Sequence, residues 1–329
     1  MTDLVIHIGM PKCGSTTLQR EVFAHESGYL GTHPDIPRDE NLAKQLQHCG
    51  PFGGRQTFSR RALHRWADRV RALQQDRWPD IDRIIASDEV LSAKSRFEER
   101  PILRLLSHLN ESVWREGAVK AIIVLRNQPE RLASGYAQGS SDRINAGQAD
   151  FEDWVAKRLG NLPNYDYAKW VAGLQDVLGA QNVFTLLLEE SMSEAHWRSL
   201  KDFAALQELD PQSMVMNATI RNQRREAPDR WRVSSFDAQT KAKIAVDKSL
   251  NLVWPRHLWS DSRVRVRDAS IARLARHYDL LHAKRAHLPR ETTITLTPKI
   301  RSQIKAHFGD SNRKLRDYLE RDIAKLGYE

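Results

Sequence analysis

The sequence predicts a doubly wound α/β domain built on a parallel sheet, and three observations predict it. Short apolar runs recur at residues 4–8, 81–86, 119–125 and 183–188. The stretches between them carry apolar residues in a 3.6-residue rhythm, as crossover helices do. Three of the runs lead into polar residues, Lys12, Ser87 to Glu89 and Arg126. The carboxyl ends of parallel strands are where open α/β sheets gather their ligand contacts.

Leu4, Val5, Ile6 and Ile8 form the first run, and Gly9 ends it. Pro11 and Gly14 shape a turn that Ser15, Thr16 and Thr17 lead into a helix over residues 17–25. Residues 28–54 hold several glycines and prolines and read as a long loop or lid, a length unusual without function. Ser59 caps a helix to about residue 75, with Leu63, Trp66, Val70 and Leu73 inward. A helix over 97–110 precedes the third strand, VKAIIVL, a nearly continuous apolar run suited to a strand buried on both faces. Pro129 fits the first turn of the following helix. Helical patterns return at 151–159 and 165–178, the second stopped by Gly179. After the fourth strand, Glu189 and Glu190 are expected to close the strand, and 194–209 reads as helix. Periodicity is lost from 210 to 232. Helical patterns follow at 237–252 and 268–281, a short extended piece at 294–296, and one or two helices over 298–326, divided at Gly309 in the second case. One domain over residues 1–329 is expected, with a core to about 210 and a mainly helical C-terminal region packed on it.

The turn at residues 9–17 is a seat for an anion. Free backbone N–H groups, a helix start and Lys12 all put positive potential above it. It departs from the kinase pattern GxxxxGK[ST], because Lys12 precedes Gly14. A solvated surface lysine is the plain alternative for Lys12. Arg126 leaves the third strand, and Ser134 follows eight residues later in the next helix. A guanidinium fork and a hydroxyl at that spacing suit one phosphate; a salt bridge at the sheet edge is the alternative.

A net charge of +9 favours anionic partners without choosing among them. Nucleic acid is not expected, because zinc-finger spacing, RNP-like aromatics and a helix-turn-helix pattern are all missing. Cys13 and Cys49 make neither a disulfide framework nor a metal cluster. Cys13, inside the anion turn, is expected to point away from the ligand. Apolar runs are too short to cross a membrane. The first strand starts at once, so no signal peptide is expected and the cytoplasm is the simple inference.

The motif Pro11 to Leu18 and the motif Leu125-Arg126-Asn127 with Ser134 and Tyr136 resemble those of sulfotransferases that use 3′-phosphoadenosine-5′-phosphosulfate (PAPS). The likeness is greatest to bacterial members related to carbohydrate sulfotransferases. Gln128 before Pro129 shifts the usual Arg-Asn-Pro order by one residue. Softer likenesses lie in residues 167–189 and in HFGDSNRKLRDYL near the C-terminus.

The resemblance implies a nucleotide-kinase-like core and sulfuryl transfer to an acceptor hydroxyl, with 3′-phosphoadenosine-5′-phosphate (PAP) as product and no metal. Lys12 would contact the oxygen bridging phosphorus and sulfur. The N–H groups of Cys13, Gly14, Ser15, Thr16 and Thr17, with the three hydroxyls, would hold the 5′-phosphate. Arg126 and Ser134 would hold the 3′-phosphate. Glu89 is the expected base, with Asp88 the neighbour that can cap a helix instead, and His33 and His108 the histidine alternatives. A saccharide or glycolipid is the expected acceptor, with peripheral membrane contact left open. A small hydroxylated metabolite or lipid is the alternative, and a P-loop kinase or a basic nucleic-acid-binding protein is more remote. Residues 31–54, Arg104, Trp114, Tyr165, Tyr167, Arg221, Arg224 and Arg225 are the acceptor-pocket candidates.

Overall fold

The computed structural model describes residues 1–31, 42–50, 58–92, 100–143, 145–218, 225–234, 237–253, 261–283 and 292–329. In chain order the elements begin with β1 (Asp3–Ile8), α1 (Ser15–Thr17), α2 (Leu42–Leu46), α3 (Arg60–Arg77), β2 (Arg83–Asp88), α4 (Pro101–His108) and β3 (Val119–Leu125). Then come α5 (Gln128–Gly139), α6 (Gln148–Arg158), α7 (Tyr167–Leu178), β4 (Val183–Leu187), α8 (Glu194–Ala204) and α9 (Pro211–Ala218). The last are β5 (Arg225–Ala227), β6 (Arg230–Arg232), α10 (Ala238–Val253), α11 (Asp261–Ala283), β7 (Thr293–Thr295) and α12 (Pro298–Leu319). Two compact units divide them.

Met1–Asn127, Pro163–Arg221 and Phe308–Glu329 make the first unit. Its sheet has the order β2-β1-β3-β4, all parallel, with Ile6 paired to Ala86 on one side and to Ala121 on the other. The predicted parallel α/β architecture is therefore present. Leu4, Ile6, Ile8, Ala121 and Ile123 are fully buried, as strands covered on both faces must be. The chain leaves β1 for β2 on one side and β3 lies on the other, so strand order reverses between β1 and β3. That reversal opens a crevice at their carboxyl ends.

Local reasons shape the first unit's helices. Ser59 accepts from the Ala62 N–H and starts α3, as expected. Asp166 caps α7, and Gly179, at φ 84°, follows its end. Residues 17–25 depart from a single helix: a three-residue α turn is followed by a π turn over Leu18–Val22 and a 3₁₀ turn over Phe23–His25. The predicted lid is also corrected in its described part. Leu30 N–H donates to the Ile85 carbonyl and Ile85 N–H to the Gly28 carbonyl, so this strip satisfies the outer edge of β2. Leu42, Ala43 and Leu46 then bury α2 against the core.

Arg83 opens β2 from inside the protein and pairs with Glu26, their side chains 1% and 0% exposed. Glu26 also accepts the backbone N–H groups of Gln207 and Glu208 at 3.0 and 2.8 Å. Removing one partner leaves an uncompensated buried charge. Glu26→Ala is expected to cost about 3–5 kcal/mol in denaturant unfolding, and the double change with Arg83→Met distinctly less than the sum of the single ones.

Gln128–Leu162 and Asn222–His307 make the second unit. It contains an antiparallel sheet, β5-β6-β7, of which only the extended piece expected at 294–296, overlapping β7, was anticipated. Trp231 and Ile294 face inward from strands only three residues long. Arg267 forks onto Asp247 at 2.6 and 3.1 Å and ties α11 to α10. Tyr136, a member of the second motif, is a core residue of this unit. It is 1% exposed, donates to Asp150 at 2.8 Å and packs on Phe151 and Trp154. No break occurs at Gly309: α12 runs unbroken, held on either side by buried Phe308 and Asn312.

Candidate active site

The turn after β1 has the backbone its sequence implied, with one addition. Gly14 sits at φ 89°, the left-handed region that glycine enters without strain. Lys12 is there too, at φ 69°, which an L-residue adopts at a cost of about 1–2 kcal/mol. The Cys13 N–H closes the turn onto the Met10 carbonyl at 3.2 Å, and the Thr17 N–H reaches the Gly14 carbonyl at 2.9 Å. Ser15 is buried and its hydroxyl donates to the Met10 carbonyl at 3.3 Å, so it braces the turn from beneath. Thr16 faces outward. Cys13 is fully buried, its sulfur 3.7 Å from the Pro11 carbonyl oxygen.

Two neighbouring strands bring further groups to this turn. Arg126, at the exit of β3, is buried, with Nη1 3.5 Å from the Lys12 carbonyl oxygen. On the other side of β1, the end of β2 delivers Asp88 and Glu89. Glu89 packs on the backbone of Gly9: a Cβ built there would lie 2.9 Å from the Glu89 Cα and 2.8 Å from its Cγ. Only glycine permits that approach. Burial raises the Glu89 carboxyl above its ordinary pKa, Lys12 pulls it down, and Asp88 pushes it up again.

Behind these groups a hydrogen-bonded set fixes the end of β2. His7 is fully buried and its Nδ1 lies 2.7 Å from the Ser87 hydroxyl. Burial pulls its pKa down to about 3, so it is neutral at working pH. Gln19 donates to the same hydroxyl at 3.0 Å, and Tyr29 bonds it as well. Burial of the phenol pushes Tyr29 up to about 12. Gln47 Nε2 donates to Asp88. A pocket of about 610 Å³ opens beside this set, walled by Thr16, Arg20, Lys44, Gln47, Asp88 and Glu89 among others.

Lys12, Cys13, Gly14, Ser15, Thr16, Thr17, Glu89 and Arg126 thus belong to the carboxyl ends of three adjacent strands of one unit. Ser134 lies within α5, half-buried, in the other unit. His108 ends α4, which runs back toward the start of β3, and it stacks on Phe58 at 4.8 Å. His33 lies outside the described residues, as do Arg221 and Arg224. Trp114 donates to the Thr2 carbonyl and is core, Arg104 stacks over Phe58, and Tyr167 donates to the Arg126 carbonyl at 2.7 Å. Tyr165 stacks on Phe308, and Arg225 pairs with Glu130. His7, Gln19, Tyr29 and Gln47 escaped the sequence reading. A histidine inside an apolar run and a glutamine in a helical turn carry no motif.

Residues 2–226 match the sulfotransferase domain family. The chain belongs to the PAPS-dependent sulfotransferases. Among solved structures, a sulfotransferase from Alicyclobacillus acidocaldarius is 15% identical with TM-score 0.44, over 99% of this chain and 98% of that one. The sulfotransferase domain of the Synechococcus PCC 7002 olefin synthase is 12% identical with TM-score 0.37, over 66% and 77%. No curated protein matches the sequence. Among the described residues of this sulfotransferase, no three His, Cys, Asp or Glu side chains gather to hold a metal ion. No helix among them is long and apolar enough to cross a membrane.

Proposed function

We propose that this sulfotransferase moves the sulfuryl group of PAPS to a hydroxyl of a saccharide or of a glycolipid headgroup. The observation that carries the reading is the contact of Glu89 with Gly9, at the mouth of the turn that bears Lys12. It sets a carboxylate and an ammonium at one site, beside a pocket with polar walls. Lys12 contacts the oxygen between phosphorus and sulfur and neutralises the charge that grows there as the S–O bond breaks. The N–H groups of Gly14, Ser15 and Thr16 hold the 5′-phosphate, with the Thr16 and Thr17 hydroxyls, while those of Cys13 and Thr17, assigned to the phosphate by the motif, close the turn onto Met10 and Gly14. The Ser15 hydroxyl serves by keeping the turn closed. Arg126 takes the 3′-phosphate, and Ser134 is assigned with it on the spacing of the motif alone. Glu89 accepts the proton of the acceptor hydroxyl as its oxygen bonds to sulfur, and PAP leaves.

The polar side chains that line the pocket support this acceptor class. Arg20, Lys44, Gln19 and Gln47 offer hydrogen bonds on several sides, and Tyr29 is the aromatic among the lining residues. A sugar, with hydroxyls around its rim, matches that wall better than an apolar phenol or sterol. The test pairs calorimetric binding of PAP with transfer of radiolabelled sulfate to a panel of saccharides, glycolipid headgroups, small metabolites and lipids. Binding of PAP with label on a saccharide is the expected result. Label appearing on apolar alcohols alone would overturn the acceptor class, and failure to bind PAP would overturn the donor assignment.

A further inference from the structure

The exit of β3 is held by the far end of the chain. The Arg126 carbonyl accepts from the Tyr167 hydroxyl at 2.7 Å. The next N–H, that of Asn127, donates to Glu189 Oε1 at 2.8 Å, and Asn127 Nδ2 donates to the same oxygen at 2.9 Å. That carbonyl and that N–H are the two ends of one peptide group. A planar peptide gripped at both ends cannot rotate, and it fixes the direction in which the Arg126 side chain leaves the backbone.

Glu189 is itself fixed. Its other oxygen, Oε2, accepts from the Tyr328 hydroxyl at 2.9 Å. Tyr328 is only 2% exposed and packs on Tyr167 with ring centroids 6.3 Å apart. Here Asn312 Nδ2 donates to the Glu329 carbonyl at 3.2 Å, and Arg321 pairs with Glu190 and donates to the Thr185 carbonyl. Those contacts suffice to seat the C-terminal segment against β4. The Tyr328 hydroxyl goes further, through Glu189, to the peptide behind Arg126.

We propose that Tyr328 is a positioning residue for the donor's 3′-phosphate, acting through Glu189 and Asn127 on the backbone that carries Arg126. This rests on the reading that Arg126 binds that phosphate. All four residues belong to the first unit.

The test compares calorimetric binding of PAP with that of adenosine 5′-phosphate, which lacks the 3′-phosphate. Tyr328→Phe removes one oxygen and keeps the ring. It is expected to weaken PAP by about fivefold to tenfold and to leave adenosine 5′-phosphate within about twofold. Glu189→Gln keeps an oxygen for Asn127 but replaces the charged acceptor of Tyr328 with an amide N–H₂, from which the phenol oxygen can only accept. It is expected to weaken PAP in the same direction by a smaller factor and to leave adenosine 5′-phosphate within about twofold. If the phenylalanine variant does not fold, Glu189→Gln carries the comparison. Arg126→Ala should erase the preference for PAP. A preference that survives Arg126→Ala overturns the phosphate assignment and the proposal with it. A preference lost in Arg126→Ala but intact in both other variants, or equal weakening of the two ligands, overturns the proposal alone.

Discussion

Lys12→Ala is expected to lower turnover by roughly 10²–10³-fold while the KM for acceptor changes little. The size follows from where charge develops. As the S–O bond of the donor lengthens, negative charge collects on the bridging oxygen. An ammonium fixed there stabilises the transition state more than the bound donor. Lys12 is fixed by a backbone at φ 69°, between the Met10–Cys13 closure and the left-handed Gly14. A lysine costs energy in that conformation. The protein keeps the residue there in spite of the strain, which favours a role for the side chain over a surface position. Lys12→Gly separates strain from charge. It relieves the backbone, so stability should stay within about 1 kcal/mol of the parent or rise, while turnover should fall as far as in Lys12→Ala. Single-turnover kinetics with saturating donor measure the chemical step. Near-parental rates in both variants would remove Lys12 from the leaving side.

What was legible beforehand divides along physical lines. The four parallel strands declared themselves because each is buried on both faces and so must be an apolar run, as VKAIIVL is. Gly14 was legible because a left-handed turn between strand and helix leaves glycine little competition. Glu89 stood out as a carboxylate just beyond a strand end. Of the antiparallel sheet, β7 was legible as the extended piece at 294–296, and β5 and β6 were not. Three-residue strands with outward arginines show no period, and β7 lies more than sixty residues from β6 in sequence. The role of residues 28–31 was hidden for a related reason. Their backbone, rather than their side chains, completes the edge of β2. Glu189 was read as the close of a strand. Its partners, Asn127 and Tyr328, lie 62 and 139 residues away, beyond the reach of any local pattern.

Glu89→Gln should cost roughly 10²–10⁴-fold in turnover, with donor binding retained. The acceptor hydroxyl has a pKa far above working pH, so its proton must find a base as the oxygen meets sulfur. Glu89 is a base only when ionised. Burial holds its pKa above the ordinary carboxylate value, with Lys12 opposing and Asp88 reinforcing the shift. Turnover should therefore fall, as pH is lowered, at a pH above that of an ordinary glutamate. Two neighbours then move that acid limb in opposite directions. Asp88→Asn removes a negative charge, stabilises the ionised Glu89 and moves the limb to lower pH. Lys12→Ala removes a positive charge, and its residual activity should show the limb at higher pH. A structural role for Glu89 would give neither displacement, because packing carries no dependence on its proton. In Glu89→Gln the limb should vanish. If it persists at the same pH, the titrating base lies elsewhere in the pocket, and Asp88, held by Gln47 on the same wall, becomes the residue to replace.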